Sequence, residues 1–156
     1  MKNTGIHPEH LVDYVVAPAL QFLGMDSPAA RALLMGTAAQ ESLCGRFLRQ
    51  VGGGCAMGVF QMEPETYGDI WKNYLEYRPE LRERILARFP RASAELMMSD
   101  LIFAAVMCRL HYRRVKEKLP AADNVGALAE YYVQHYNTPL GKATVAEFIS
   151  NFQMVA

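Results

Sequence analysis

A glutamate at the end of an apolar stripe is the first residue here whose position suggests chemistry. In Ser27–Gly45, SPAARALLMGTAAQESLCG, the positions that share one helical face are Ala30, Leu33, Leu34, Thr37 and Ala38, followed by Glu41. The carboxyl therefore lands on the inward face, in the last turn. Desolvation and the negative end of the helix dipole both penalise its ionised form, so its pKa should rise. A carboxylic acid still protonated near neutral pH is what general-acid catalysis requires. The ordinary alternative, from this helix alone, is a glutamate at the stripe's edge that reaches water, as most do.

A second segment, DNVGALAEYYVQHYN, has the stripe Val125, Leu128, Ala129, Tyr132 and Tyr136. It too ends in a polar-tipped side chain, which either packs its ring in the core or presents its hydroxyl to a site. Asn137-Thr138-Pro139-Leu140-Gly141 then stops the helix. Between the two segments lies GVFQMEPET. Gly58 would let the backbone approach a ligand, and Gln61 offers a donor and an acceptor suited to a sugar hydroxyl or acetamido group. Phe60 and Met62 would wall a groove. A turn leading into a helix start explains the same residues without a ligand.

The elements that must position these groups are helical, with no convincing run of strand-type alternation. A first helix is expected over Pro8–Leu23, kinked at Pro18. Ser27-Pro28 caps a second helix that Gly45 stops. Five of the eleven glycines fall between Gly45 and Gly58, in a loop too elaborate for a mere connection. A third helix starts at Met62–Thr66 and runs to about Tyr77, and a short charged helix covers Pro79–Phe89. Ala92–Lys118 reads as a long buried central helix, apolar nearly all round between Leu96 and Cys108. Asp123 or Asn124 caps the next helix, and Ala143–Phe152 closes the chain. The expectation is a mainly α single domain over 1–156, with an N-terminal helix in 1–26 and a motif-bearing core in 27–152.

Composition narrows the partners. Sixteen basic residues balance sixteen acidic ones among 156, which argues against nucleic acid as the main partner. With 51% hydrophobic residues, disorder is excluded. No window has the ~20 apolar residues of a membrane helix, and the start, MKNTGIHPEH, does not read as an export signal. Cys44, Cys55 and Cys108 are too few for a disulfide framework. Cys44 and Cys55 could pair under oxidation, but small buried thiols are the expectation. The four histidines make no recognised zinc spacing with them, so no metal and no cofactor are expected.

Taken in order, the three segments resemble the soluble lytic transglycosylase and goose-type lysozyme superfamily. The resemblance rests on Glu41-Ser42 at a helix end, Gly58-Val59-Phe60-Gln61-Met62 with Pro64 and Thr66 downstream, and Tyr136-Asn137. It spans about Ser27 to Phe152, and the closing YYVQHYNTPLGKATVAEF is similar to phage-encoded members. Two departures stand out. Val59-Phe60 replaces the usual Leu-Met, and Thr-Pro-Leu-Gly follows Tyr-Asn where many relatives have Ala-Gly.

The resemblance implies a lysozyme-like domain with the glycine-rich loop at its groove, cleaving the MurNAc–GlcNAc β-1,4 bond of peptidoglycan. Glu41 would be the sole catalytic acid and then the base that closes a 1,6-anhydro ring. Tyr136 would hydrogen-bond near Glu41 and help to fix it. Ser42 would support the first motif, Gly58, Phe60, Gln61 and Met62 would form the sugar groove, and Asn137 would shape the loop. The partner would be the glycan strand, with other phage virion proteins as further partners. Without an export signal, a phage route through membrane lesions or carriage in the particle would bring the chain to the wall.

Most glycosidases use two carboxylates. Glu63, Glu65, Asp69 and Asp100 are the candidates for a hydrolytic muramidase, although Glu63 and Glu65 are also explained as a helix start. A non-catalytic virion module of the same fold is the reading from another class. A nucleic-acid binder using Arg109, Arg113, Arg114, Lys116 and Lys118 fares worst, since one basic helix end ordinarily complements the dipole.

Overall fold

Two helices run through the middle of this protein and neither has a solvent face along its central turns. In the computed structural model, which describes residues 5–137 and 142–156, α3 (Pro28–Ser42) is buried continuously from Leu33 to Ala39. α7 (Leu101–Arg113) is buried from Phe103 to Leu110. The other helices wrap this pair: α1 (Pro8–Leu11), α2 (Ala17–Leu23), α4 (Pro64–Asn73), α5 (Pro79–Arg88), α6 (Leu96–Ser99), α8 (Val125–His135) and α9 (Val145–Val155). α3 packs along α9, α8 and α7, while α7 also meets α2, α4 and α6. The architecture is mainly α. Among the described residues there is no strand, only isolated bridges at Arg49–Met57 and Met57–Met62 within the glycine-rich segment.

The helix starts follow local chemistry. Ser27 accepts the Ala30 N–H at 3.0 Å with Pro28 in the first turn. Asn124 accepts the Ala127 N–H at 3.1 Å, and Thr144 the Glu147 N–H at 3.2 Å. Once started, α3 is held by packing. Leu33 and Leu34 are fully buried, each worth about 2 kcal/mol of transfer free energy. Gly36 sits against Phe148 of α9, where an added Cβ would lie 2.2 Å from the ring. Thr37, buried in the same stretch, donates to the Leu33 carbonyl and accepts the Tyr112 hydroxyl at 2.8 Å, so α3 and α7 share a satisfied polar contact.

Two expected helices differ in detail. The first is not one uninterrupted α-helix. Residues Val12–Val16 form a π turn, with the Ala17 N–H bonded to the Val12 carbonyl, and α2 follows directly. The widened turn accommodates the missing N–H of Pro18 and relieves its ring from the carbonyl four residues back.

The long helix expected over Ala92–Lys118 is shorter and divided. Asp100 is extended (φ −118°, ψ 101°) between α6 and α7, and its carboxylate caps the Phe103 N–H at 2.9 Å. An aspartate that competes for backbone N–H groups favours a helix start over a helix interior. The helix ends at Arg113, before Lys118. No helix among the described residues is long and apolar enough to cross a membrane.

Candidate active site

Glu41 is the penultimate residue of α3, and the helix ends abruptly after it. Leu43, Cys44 and Gly45 take positive φ in succession (51°, 59° and 87°), a run that costs backbone strain at the two non-glycine positions. Ser42 holds this turn. Its hydroxyl donates to the Val59 carbonyl at 2.6 Å and accepts the Gly45 N–H at 2.8 Å. Ser42 is wholly buried, so it ties the end of α3 to the 58–62 segment and offers nothing to a substrate. Its expected place among the substrate-binding residues is therefore corrected to a structural one.

The Glu41 carboxyl accepts the hydroxyl of Tyr132 on Oε1 at 2.7 Å. Burial pushes its pKa up to about 7, against the opposing effect of the Tyr132 bond. Burial also holds the Tyr132 phenol far above its usual range, so it remains a donor. With Oε1 occupied by this donor, the proton of the neutral acid belongs on Oε2.

Tyr136 does not supply this contact. Its hydroxyl donates to the Phe60 carbonyl at 2.5 Å, and its ring stacks on Tyr112 and Tyr132 at centroid distances of 5.2 and 5.8 Å. The expectation that Tyr136 fixes Glu41 is thus corrected to Tyr132. The two are four residues apart, but Tyr136 is the residue just past the end of α8 and turns toward the 58–62 segment.

That segment is a compact turn in which the Met57 and Met62 backbones exchange both hydrogen bonds at 2.9 and 3.0 Å. Gly58 has φ 82°, and a Cβ there would lie 2.5 Å from the Met97 carbonyl oxygen. The close backbone approach is to α6, and no ligand is needed to explain it. Phe60 is buried to 1% exposure in the core, so it does not wall a groove. Gln61, at φ 47°, reaches the cleft while its Nε2 donates to the Gly58 carbonyl at 2.9 Å. Met62 and Asn137 line the cleft as expected, Asn137 also donating to the Ala143 carbonyl at 3.2 Å. Thr138-Pro139-Leu140-Gly141 lie outside the described residues.

The cleft encloses about 490 Å³, within the ~300–1,000 Å³ of small-molecule sites. Glu41 and Tyr136 lie on it, one side is built by Phe47, Gln50, Val51 and Ala56 of the glycine-rich segment, and Glu63 and Thr66 mark the start of α4. Gln50 stiffens its side by accepting the Ala56 N–H on Oε1 at 3.1 Å. His111 also lines the cleft, which the sequence reading missed. The available signal was a histidine interrupting the apolar run of α7 between Leu110 and Tyr112. Burial, with the Arg114 charge, lowers its pKa to about 4, so the ring is neutral near pH 7.

The other carboxylates separate clearly. Glu63 is exposed on the cleft wall at the N-cap of α4, without a side-chain cap bond. Glu65 is in the first turn of α4, as the dipole reading expects. Asp69 is engaged by Asn73 and Arg114, and these bonds hold its carboxyl below the usual carboxylate range. Asp100 is spent on the α7 cap.

The three thiols are free. Cys44 and Cys108 are buried, and burial pushes Cys44 up to about 11, but Cys55 is exposed, contrary to the buried-thiol expectation. Among the described residues no group of three or more His, Cys, Asp or Glu is placed to hold a metal ion. No family model matches the chain, and neither a curated protein nor a solved structure matches it.

Proposed function

We propose that this protein is a lytic transglycosylase that cleaves the MurNAc–GlcNAc β-1,4 bond of peptidoglycan. The observation that carries the reading is Glu41: a carboxyl raised to about 7, held on one oxygen by Tyr132 and open to a cleft. Motif order adds support, since Glu41-Ser42, Gly58–Met62 and Tyr136-Asn137 resemble those of the transglycosylase and goose-type lysozyme superfamily.

In this reading the Oε2 proton of Glu41 passes to the glycosidic oxygen as the C1–O4 bond breaks. The resulting carboxylate then takes the proton of the muramyl 6-hydroxyl as that oxygen bonds to C1, closing a 1,6-anhydro ring. Glu41 ends protonated and no water is consumed. Gln61 and Asn137 supply hydrogen bonds to the sugars. The chain would act in phage lysis or entry, reaching the wall through membrane lesions or within the particle alongside other virion proteins. A lysozyme-like fold would accompany this activity.

Mass spectrometry of muropeptides released from purified walls tests the reaction. The expected products carry anhydro ends, lighter by one water than reducing ends, and Glu41→Gln releases none. Reducing ends alone would instead indicate a muramidase, a reading favoured by the one feature that Glu63 shares the cleft with Glu41. If neither wild type nor Glu41→Gln clears walls, the chain is a non-catalytic module, and equal clearing by both would remove Glu41 as the acid and this reading with it.

A further inference from the structure

We infer that His111 is a neutral hydrogen-bond donor to the bound glycan, presenting Nε2–H to the carbonyl oxygen of an N-acetyl group, with Asp69 and Arg114 as the positioning residues that set its tautomer. This rests on the reading of the cleft as a glycan groove. The tautomer follows from donor chemistry alone. Arg114 Nη2 lies 2.7 Å from His111 Nδ1, and a guanidinium has only donors, so Nδ1 must present its lone pair. A neutral ring then carries its single proton on Nε2.

Arg114 is itself held. Its Nη1 bonds Asp69 Oδ2 across to α4, and Asn73 donates to the other oxygen of Asp69 at 2.5 Å. The ring is braced against Tyr136, with centroids 4.8 Å apart. A chain of hydrogen bonds thus runs from the surface of α4 to the imidazole of His111, which lines the cleft. The groups acting on the ring are Arg114, Asp69 and His135, and the net effect with burial keeps it uncharged. An uncharged donor suits an amide carbonyl, whereas a cationic one would favour a carboxylate.

The test uses the full chain with Glu41→Gln, so that a ligand is bound without being cleaved. Binding of the N-acetylglucosamine tetramer is compared with that of a glucose tetramer, which lacks the acetamido group. His111→Leu is expected to weaken the N-acetylated ligand about tenfold, the loss of one hydrogen bond, and to leave the glucose tetramer unchanged. His111→Gln, which keeps a donor near the Nε2 position, should bind within about threefold of its parent.

Imidazole nitrogen NMR of the unsubstituted protein at pH 7 provides a readout that does not depend on a variant folding. Nε2 should be protonated and Nδ1 bare, and Arg114→Leu should mix the tautomers. Nδ1 protonated, or His111→Leu binding the N-acetylated tetramer as tightly as its parent, overturns the inference while the glycan reading stands. No binding of either tetramer by the Glu41→Gln protein overturns both.

Discussion

Glu41 owes its protonation to the place where α3 stops. One residue from the end of a buried helix, its carboxyl is dry enough to resist ionisation yet still reaches the cleft. The consequence for stability has a definite sign. Below about pH 4.5 the carboxyl is protonated in both folded and unfolded chains, and its burial carries no ionisation cost. Between about 4.5 and 7 the unfolded chain releases the proton while the native chain retains it, so stability falls as pH rises. Above 7 the penalty is complete, about 3 kcal/mol for a shift of this size.

Glu41→Gln should therefore be more stable than wild type at pH 8 by up to about 3 kcal/mol, and nearly equal to it at pH 4. Urea denaturation at the two pH values checks this; equal midpoints at pH 8 would show that the carboxyl is not desolvated. The same variant should lose wall-cleaving activity by at least about a hundredfold. Wild-type activity should decline as pH rises through about 7, where the acid is lost. Because the Tyr132 hydroxyl favours the charged form, Tyr132→Phe should move that decline to higher pH. An unmoved profile would mean that another group governs it.

Ser42 and Gly58 act at the scale of elements, and neither lines the cleft. Ser42→Ala leaves the Val59 carbonyl and the Gly45 N–H without their partner, which should cost about 1–3 kcal/mol. Gly58→Ala drives a Cβ into the Met97 carbonyl at a positive φ and should cost more, with activity lost through displacement of Gln61 and Met62. Thermal unfolding followed by circular dichroism measures both. If Gly58→Ala unfolds at the wild-type temperature, the packing of the 58–62 turn on α6 described above is wrong.

Helix starts were legible because a cap acts within about three residues, as at Ser27 and Asn124. The division at Asp100 was equally local but lay inside a long apolar run, where periodicity outweighed a single aspartate. The π turn before Pro18 was hidden for a different reason. A proline signals that a helical bond is lost, but packing on both sides decides how the helix absorbs the loss.

For the whole molecule, α3, α7 and α8 converge on one cleft that the 58–62 turn and the glycine-rich loop complete. Its wall carries a protonated acid, a neutral histidine, one exposed carboxylate and amides, within a chain of zero formal charge. Recognition should thus depend on hydrogen bonds and shape. The affinity of the Glu41→Gln protein for an uncharged N-acetylglucosamine tetramer should change by less than about twofold between 50 and 200 mM salt, far from the ~10³–10⁵ loss of a phosphate binder. Titration calorimetry at the two salt concentrations decides it.

Sequence alone determined the mainly helical class, most helix starts, and the arrival of Glu41 at the end of a buried stripe. Each depends on side chains within one or two turns of each other. It also named Gln61, Met62 and Asn137, which line the cleft. Which tyrosine meets Glu41, that Phe60 and Ser42 turn inward, and that His111 joins the site were decided only by tertiary structure. Tyr132 and Glu41 are 91 residues apart, and Tyr136 and Phe60 are 76. At one helix end, a difference of one turn in α8 exchanges the partners. Periodicity assigns a residue to a face; the crossing of helices decides what that face meets.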